Sequence, residues 1–156
     1  MAKIDLAKAQ QIKGTSYPPP YDQPCQARVR QRLGAAGGLT AFGVNRLVLS
    51  PGTWSSQRHW HSHEDEFVFV VEGEVVLVTD DGEETLAAGD SAAFKAGVAN
   101  GHHLVNRSGR DAVLLEVGNN VPEQDRCVYP DCDMVAEPGE DHYRRRDGTS
   151  YAKVER

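Results

Sequence analysis

The stretch His59-Trp60-His61-Ser62-His63-Glu64-Asp65-Glu66-Phe67-Val68-Phe69-Val70-Val71-Glu72-Gly73 decides how this chain folds. Its second half, Glu66 to Glu72, is rich in β-branched and aromatic residues and stops at a glycine, the signature of a strand ending in a turn. Its first half carries three of the chain's six histidines, at every second position. Residues two apart in a strand project to one face, so extended backbone here points His59, His61 and His63 the same way.

The same texture continues outward. Twelve valines lie between Val44 and Val117, whereas both isoleucines fall in the first twelve residues. Short runs bounded by turn residues predict strands at Phe42–Leu49, Trp54–His61, Glu66–Glu72, Glu74–Thr79, Glu83–Leu86, Ser91–Phe94, Gly101–Asn106 and Val113–Val117. Asp81-Gly82 between two of these runs is a hairpin signal. So many short strands in about eighty residues predict a sandwich, a jelly roll or a small barrel. Residues 39–118 are therefore expected to form a β-barrel domain. Residues 1–38 read as an N-terminal arm lying on it, with weak helical character from Ala2 to Lys13 that ends at Gly14 and Tyr17-Pro18-Pro19-Pro20-Tyr21. Residues 119–156 read as a C-terminal extension of turns and loops, packing across the barrel or a partner subunit.

Composition narrows the class. The chain has 156 residues, a net charge of −6 and 39% hydrophobic residues. One domain of this size buries roughly 70% of its unfolded surface and needs no disulfides. No apolar run approaches the roughly 20 residues of a membrane span, and Met1-Ala2-Lys3-Ile4-Asp5-Leu6 shows no signal-peptide core, so a cytoplasmic protein is expected. The acidic balance argues against nucleic acid as a partner, and the one dense basic cluster, Arg144-Arg145-Arg146, sits beside Glu140, Asp141 and Asp147. Cys25, Cys127 and Cys132 fit no zinc pattern and are expected as free thiols. No nucleophile elbow, P-loop or dinucleotide fingerprint occurs.

The chemistry lies with the histidines. His59 and His61 supply two imidazoles on one face, Glu66 opens the next strand, and His102 or His103 arrives from a later one. Three imidazoles and a carboxylate suit a first-row divalent metal with positions left open for water or substrate.

These residues also carry a resemblance. Gly52 through Gly73, with His59-x-His61-x4-Glu66-x6-Gly73, resembles the first motif of the cupin superfamily, G-x5-H-x-H-x3,4-E-x6-G, with six residues instead of five after Gly52. Gly89, Gly97, His102 and Asn106 resemble the second, G-x5-P-x-G-x2-H-x3-N, although Lys95 replaces the proline and four residues rather than two separate Gly97 from His102. The chain is similar to small bacterial single-domain cupins of the cupin-2 conserved-barrel type. The resemblance implies an all-β fold, a double-stranded β-helix jelly-roll barrel, flanked here by irregular N- and C-terminal arms. It also implies a homodimer and one divalent transition metal (Fe, Mn, Ni or Zn) held by His59, His61, Glu66 and His102. His63 and His103 are alternative ligands or neighbours of the ligands.

Other residues have quieter readings. Trp60 should turn away from the histidines into the core. Phe67, Phe69, Leu77 and Leu104 line either a pocket or the core. Arg58, Lys95 and Arg107 could hold an anion but read equally as solvated strand cations, and Glu64 with Asp65 reads as a charged turn. Two functions stand side by side. One is a metal-dependent enzyme on a small oxygen-rich substrate, of the dioxygenase, decarboxylase or sugar-phosphate isomerase type. The other is a non-catalytic small-ligand binding module. No helix-turn-helix pattern in the N-terminal arm supports a DNA-binding regulator.

Overall fold

The valine-rich runs form the expected strands. A computed structural model describes residues 3–154; the expected helical character and the leader reading begin at residues outside that range. In chain order the strands are β1 (Gln11–Lys13), β2 (Val29–Arg32), β3 (Phe42–Leu49), β4 (Trp60–His61), β5 (Glu66–Glu72), β6 (Glu74–Thr79) and β7 (Gly82–Ala87). They continue as β8 (Ser91–Phe94), β9 (His103–Val105), β10 (Ala112–Asn119), β11 (Cys127–Tyr129), β12 (Met134–Ala136) and β13 (Tyr143–Arg144). A single turn of α-helix, α1 (Leu33–Ala36), links β2 to β3.

Three antiparallel sheets result, with strand orders β1-β2-β3-β10-β5-β8, β13-β12-β11-β4 and β7-β6-β9. The register places Leu114 of β10 opposite Leu47 of β3 and Val70 of β5, and all three are fully buried. Val75, Leu77, Leu86 and Leu104 from the three-stranded sheet close this core from the other side. The chain is thus a double-stranded β-helix. Alternation sets the opposite face of β5 outward, where Phe67, Phe69 and Val71 are exposed. Two motif residues have structural work to do. Gly73 turns the chain at φ 78°, and a Cβ there would lie 2.8 Å from the Asp111 carbonyl oxygen. Asn106 is buried and donates to the carbonyls of Leu49 and Arg110 at 2.7 and 2.8 Å, closing the turn between β9 and β10.

Several expectations change. The weakly helical stretch before Gly14 is one turn of 3-10 helix, Leu6–Lys8, followed by β1. Gln11 to Lys13 instead find ladder partners in β2, showing tertiary pairing overriding a weak local preference. The strand expected over Trp54–His61 is a ladder only at Trp60 and His61. Before it, contact with β9 is reduced to an isolated bridge from Trp54 to Val105 and hydrogen bonds between Ser55 and Leu104, while Gln57 Nε2 donates to the Tyr21 carbonyl in a loop at 2.7 Å. The terminal segments add five strands of two to four residues, and β2 joins β3 while β11 joins β4. A second apolar cluster forms where they meet, around Tyr17, Cys25, Cys127, Tyr129, Cys132 and Met134. The three cysteines are free and buried. No helix among the described residues is long and apolar enough to cross a membrane.

Candidate metal centre

The cluster is built by backbone pairing. His59 and His102 bridge each other, amide to carbonyl in both directions, at 3.1 and 2.9 Å. β4 carries His61 alongside Cys127 of β11, and Glu66 opens β5. The side chains then converge. One carboxylate oxygen, Glu66 Oε2, lies 2.9 Å from His102 Nε2, 3.4 Å from His59 Nε2 and 3.6 Å from His61 Nε2.

Contacts behind the rings fix their orientation. His59 Nδ1 lies 2.9 Å from the Gln57 carbonyl, which can only accept, so this nitrogen donates; in the neutral ring Nε2 keeps its lone pair, and in the protonated ring Nε2 donates to Glu66. His61 Nδ1 donates to Asp125 Oδ2 at 2.6 Å, with the same consequence. The His102 ring is stacked on Phe94, centroids 3.5 Å apart and planes 1° apart, and its buried Nδ1 has no partner among the described residues. Its proton therefore sits on Nε2, donated to Glu66, and must leave when that nitrogen takes a ligand role.

Electrostatics follows from these contacts. Burial pushes the Glu66 carboxyl up, but hydrogen bonds from His102 and His59 and the nearby imidazoles outweigh it and hold the group well below the usual carboxylate range. Burial alone would lower His59, yet its bond to Glu66 leaves it raised, while for His102 burial wins and lowers it. His59, Glu66 and His102 each place a donor atom within 4.8 Å of the others, a group that could hold a metal ion. His61 joins it through Glu66 Oε2, and the three imidazole distances to that oxygen, 2.9, 3.4 and 3.6 Å, bracket the spacing of about 3.0–3.5 Å that metal–ligand bonds of about 2.0–2.2 Å set between neighbouring donors. Two further groups of donors lie within 4.8 Å of one another, His59 with His61 and Cys127, and His61 with Glu64 and Asp125. Burial pushes the Cys127 thiol strongly up, which makes a thiolate there costly.

The other sequence candidates lie elsewhere. His103 is buried facing away, its Nδ1 donating to the Ser56 carbonyl at 3.1 Å and its ring edge-on to Trp54, and burial pushes it down to about 4. His63 is exposed and bonded to Ser62 Oγ. Trp60 is half-buried and lines a cavity instead of the core. Arg58 is tied to Asp80 and Asp131, and Arg107 to Glu83 at 2.7 Å.

Two cavities flank the cluster. One of about 580 Å³ lies between the barrel and the terminal segments, lined by Tyr17, Tyr129, Asn45, Glu116 and the arginines of β2. The other, about 330 Å³, is lined by Trp60, Leu77, Lys95 and Val98. His61, Glu64, Glu66, Phe94 and His102 border both. Sequence reasoning missed Asp125 and the β2 arginines. Asp125 lies in loop material with no spacing that marks it, but it binds His61 and accepts from the amides of His63 and Glu64 at 2.8 and 3.2 Å.

A double-stranded β-helix with this donor cluster inside its mouth defines a class, and the comparisons with known proteins agree. The profile of the Cupin domain family matches residues 45–118. A sugar phosphate isomerase from a cupin superfamily, from Silicibacter pomeroyi, is 42% identical over 97% of each chain, with a TM-score of 0.89. A protein of Acidithiobacillus ferrooxidans provisionally assigned as a sugar phosphate isomerase is 28% identical, covering 83% of this chain and 81% of its own, with a TM-score of 0.70. The polyketide cyclase of Streptomyces resistomycificus shares the fold at 20% identity, covering 76% of this chain and 79% of its own, with a TM-score of 0.59. Among curated protein sequences none matches this chain. The chain belongs to the cupin superfamily.

Proposed function

We propose that this cupin is a metal-dependent enzyme whose substrate is a small sugar phosphate, interconverting its aldose and ketose forms. The observation that carries the reading is the convergence of three imidazole nitrogens on one Glu66 oxygen at the wall of a polar 580 Å³ cavity. The likeness to the Silicibacter pomeroyi sugar phosphate isomerase supports this substrate class. His59, His61, Glu66 and His102 would hold the ion, with Asp125 and the Gln57 carbonyl fixing two of the rings. A divalent ion bound there supplies Lewis-acid polarisation of adjacent hydroxyl and carbonyl oxygens.

The protein's own part is to move a proton between neighbouring carbons, while the hydroxyl proton passes to the former carbonyl oxygen so that the enediol collapses to the other isomer. Glu64 is placed for it. It borders both cavities, and burial raises its carboxyl toward a range in which it both takes and returns a proton. Its Oε1 accepts from the Val121 amide at 2.8 Å, which orients the group. The test is proton exchange. Metal-loaded protein in D2O with pentose and hexose phosphates should interconvert the isomers and place deuterium on the carbon next to the carbonyl, and Glu64→Gln should abolish both. Absence of conversion and of exchange across that substrate set overturns the reading. Binding of the phosphosugars without exchange would make the chain a ligand-binding module instead.

A further inference from the structure

We propose that Arg32, with Arg30 beside it, is the seat for the phosphate group of the ligand in the larger cavity. The inference rests on the sugar-phosphate reading for its substrate class, and on the geometry of β2 for its residues.

Arg28, Arg30 and Arg32 alternate along one segment, so all three project to one face. Register says which face: Arg30 lies opposite Leu47 and Arg32 opposite Asn45 on β3, and Leu47 is fully buried. This is the interior. All three arginines line the 580 Å³ cavity.

Their partners grade from committed to free. Arg28 is buried, donating to the carbonyls of Gly14 and Ser55. Arg30 is half-buried in a two-pronged pair with Glu116, at 2.9 and 3.0 Å. Arg32 is exposed at the mouth and has no carboxylate or hydrogen-bond partner for its guanidinium among the described residues. The cavity is otherwise acidic, with Glu64, Glu66, Glu116 and Asp125 on its walls. An anionic ligand entering it needs a cation to offset that repulsion. A phosphate dianion offers the planar guanidinium two oxygens at once.

Asn45 and Glu116 stand on the floor between this seat and the metal centre. Arg32, Asn45, Glu116 and Val68 lie on one level across β2, β3, β10 and β5. One pleat further, Gly43 and Gly118 stand on the same inner face beside Glu66, with no side chains to fill the space. Three strand spacings of about 4.8 Å separate β2 from β5, roughly 14 Å, and the offset of two residues along the strand, about 7 Å, makes the span to Glu66 about 16 Å. An extended arginine and a short phosphorylated carbon chain bridge that gap together, with phosphate at Arg32 and carbonyl end at Glu66. The other candidate cations are placed differently. Arg58 and Arg107 are consumed by carboxylates, and Lys95 borders the smaller cavity.

Inorganic phosphate is the probe. Calorimetric titration of the full chain, both metal-loaded and after chelator treatment, compares wild type with Arg32→Ala, Arg32→Lys and Lys95→Ala. Arg32→Ala should weaken phosphate binding by about tenfold or more in both states. Arg32→Lys should recover part of it, and Lys95→Ala should leave it unchanged. Thermal unfolding of Arg32→Ala should match wild type, because the side chain is exposed. Equal phosphate affinity in wild type and Arg32→Ala, loss in Lys95→Ala instead, or no phosphate binding by wild type at millimolar concentration overturns the seat. The functional reading fails separately. Turnover of phosphosugars with an unchanged KM in Arg32→Ala sinks the seat and keeps the isomerase. Arg32-dependent phosphate binding without proton exchange keeps the seat and sinks the isomerase.

Discussion

Changing Asp125 to Asn should cost metal affinity without dismantling the site. The Oδ1 atom of Asp125 accepts from the His63 amide, the Glu64 amide and Ser62 Oγ at 2.8, 3.2 and 3.4 Å, while Oδ2 faces His61 Nδ1 at 2.6 Å. An asparagine keeps its carbonyl on the three-donor side and so turns its NH2 toward His61. Two donors then meet, and the imidazole answers by moving its proton to Nε2, the atom that faces Glu66. A charge-assisted hydrogen bond is worth about 1.5–3 kcal/mol, which as a tautomer preference corresponds to roughly 10–150-fold in metal affinity. Loss of a residue behind a ligand histidine costs about 10–100-fold in general. Competition against a chromophoric chelator measures it. Metal affinity equal to wild type would refute both the ligand role of His61 and the orienting role of Asp125. The pH dependence has a definite sign. Burial pushes the Asp125 carboxyl up, but the His61 bond and the His63 amide leave it lowered. A depressed carboxylate contributes stability above its unfolded pKa of about 3.9 that is lost as pH falls through the folded value. The stability gap between metal-free wild type and the Asn variant should therefore be present near neutral pH and shrink below about pH 4.

Other outcomes are expected from the same geometry. Glu66→Gln should lose bound metal on desalting, at least as severely as Asp125→Asn, while far-ultraviolet circular dichroism stays that of the wild type; elemental analysis showing stoichiometric metal in the variant would count against Glu66. Leu114→Ala removes a fully buried side chain from the row formed with Leu47 and Val70 and should cost about 2–5 kcal/mol in urea unfolding, whereas a loss under 1 kcal/mol would mean this row is not the core. Burial pushes Cys25 and Cys132 up to about 11 and Cys127 further, so an aromatic disulfide reagent at pH 8 should react slowly with native protein and take up three thiols in denaturant. Rapid reaction of any one thiol in the native state would contradict its placement.

The barrel was legible where residues pair with neighbours of like texture. β3, β5, β6 and β8 match the expected ranges to the residue. Each is a run with apolar alternation on at least one face, and β5 and β6 are bounded on both sides by glycine or aspartate. The convergence of side chains on Glu66 was legible for a related reason: His59, His61 and Glu66 are close in sequence, and His102 follows at a motif distance. Asp125 was not, because its partner His61 is 64 positions away and β11, of three residues, is too short to show a period.

Arg28 and the two arginines of β2 show a different kind of blindness. Arg28, Arg30 and Arg32 alternate as clearly as any valines in the barrel, but charged residues at period two between glycines read as a solvated segment. The rule that the buried face of a strand is the apolar one holds for strands that pack a core. It inverts for a strand that walls a polar cavity, since there the inward face must meet ligand, carboxylate and water. The register with β3 is what sets Arg30 opposite Leu47 and reveals the inversion. The same inversion runs across the sheet, where Glu116 of β10 and Glu66 of β5 face inward at the end nearest the histidines while Leu114 and Val70 face inward deeper down. One face thus changes from apolar to charged along β10 and β5, and again along β2 on the far side of β3. That change marks where the core stops and the binding site begins, and it depends on pairing that no single strand's sequence contains.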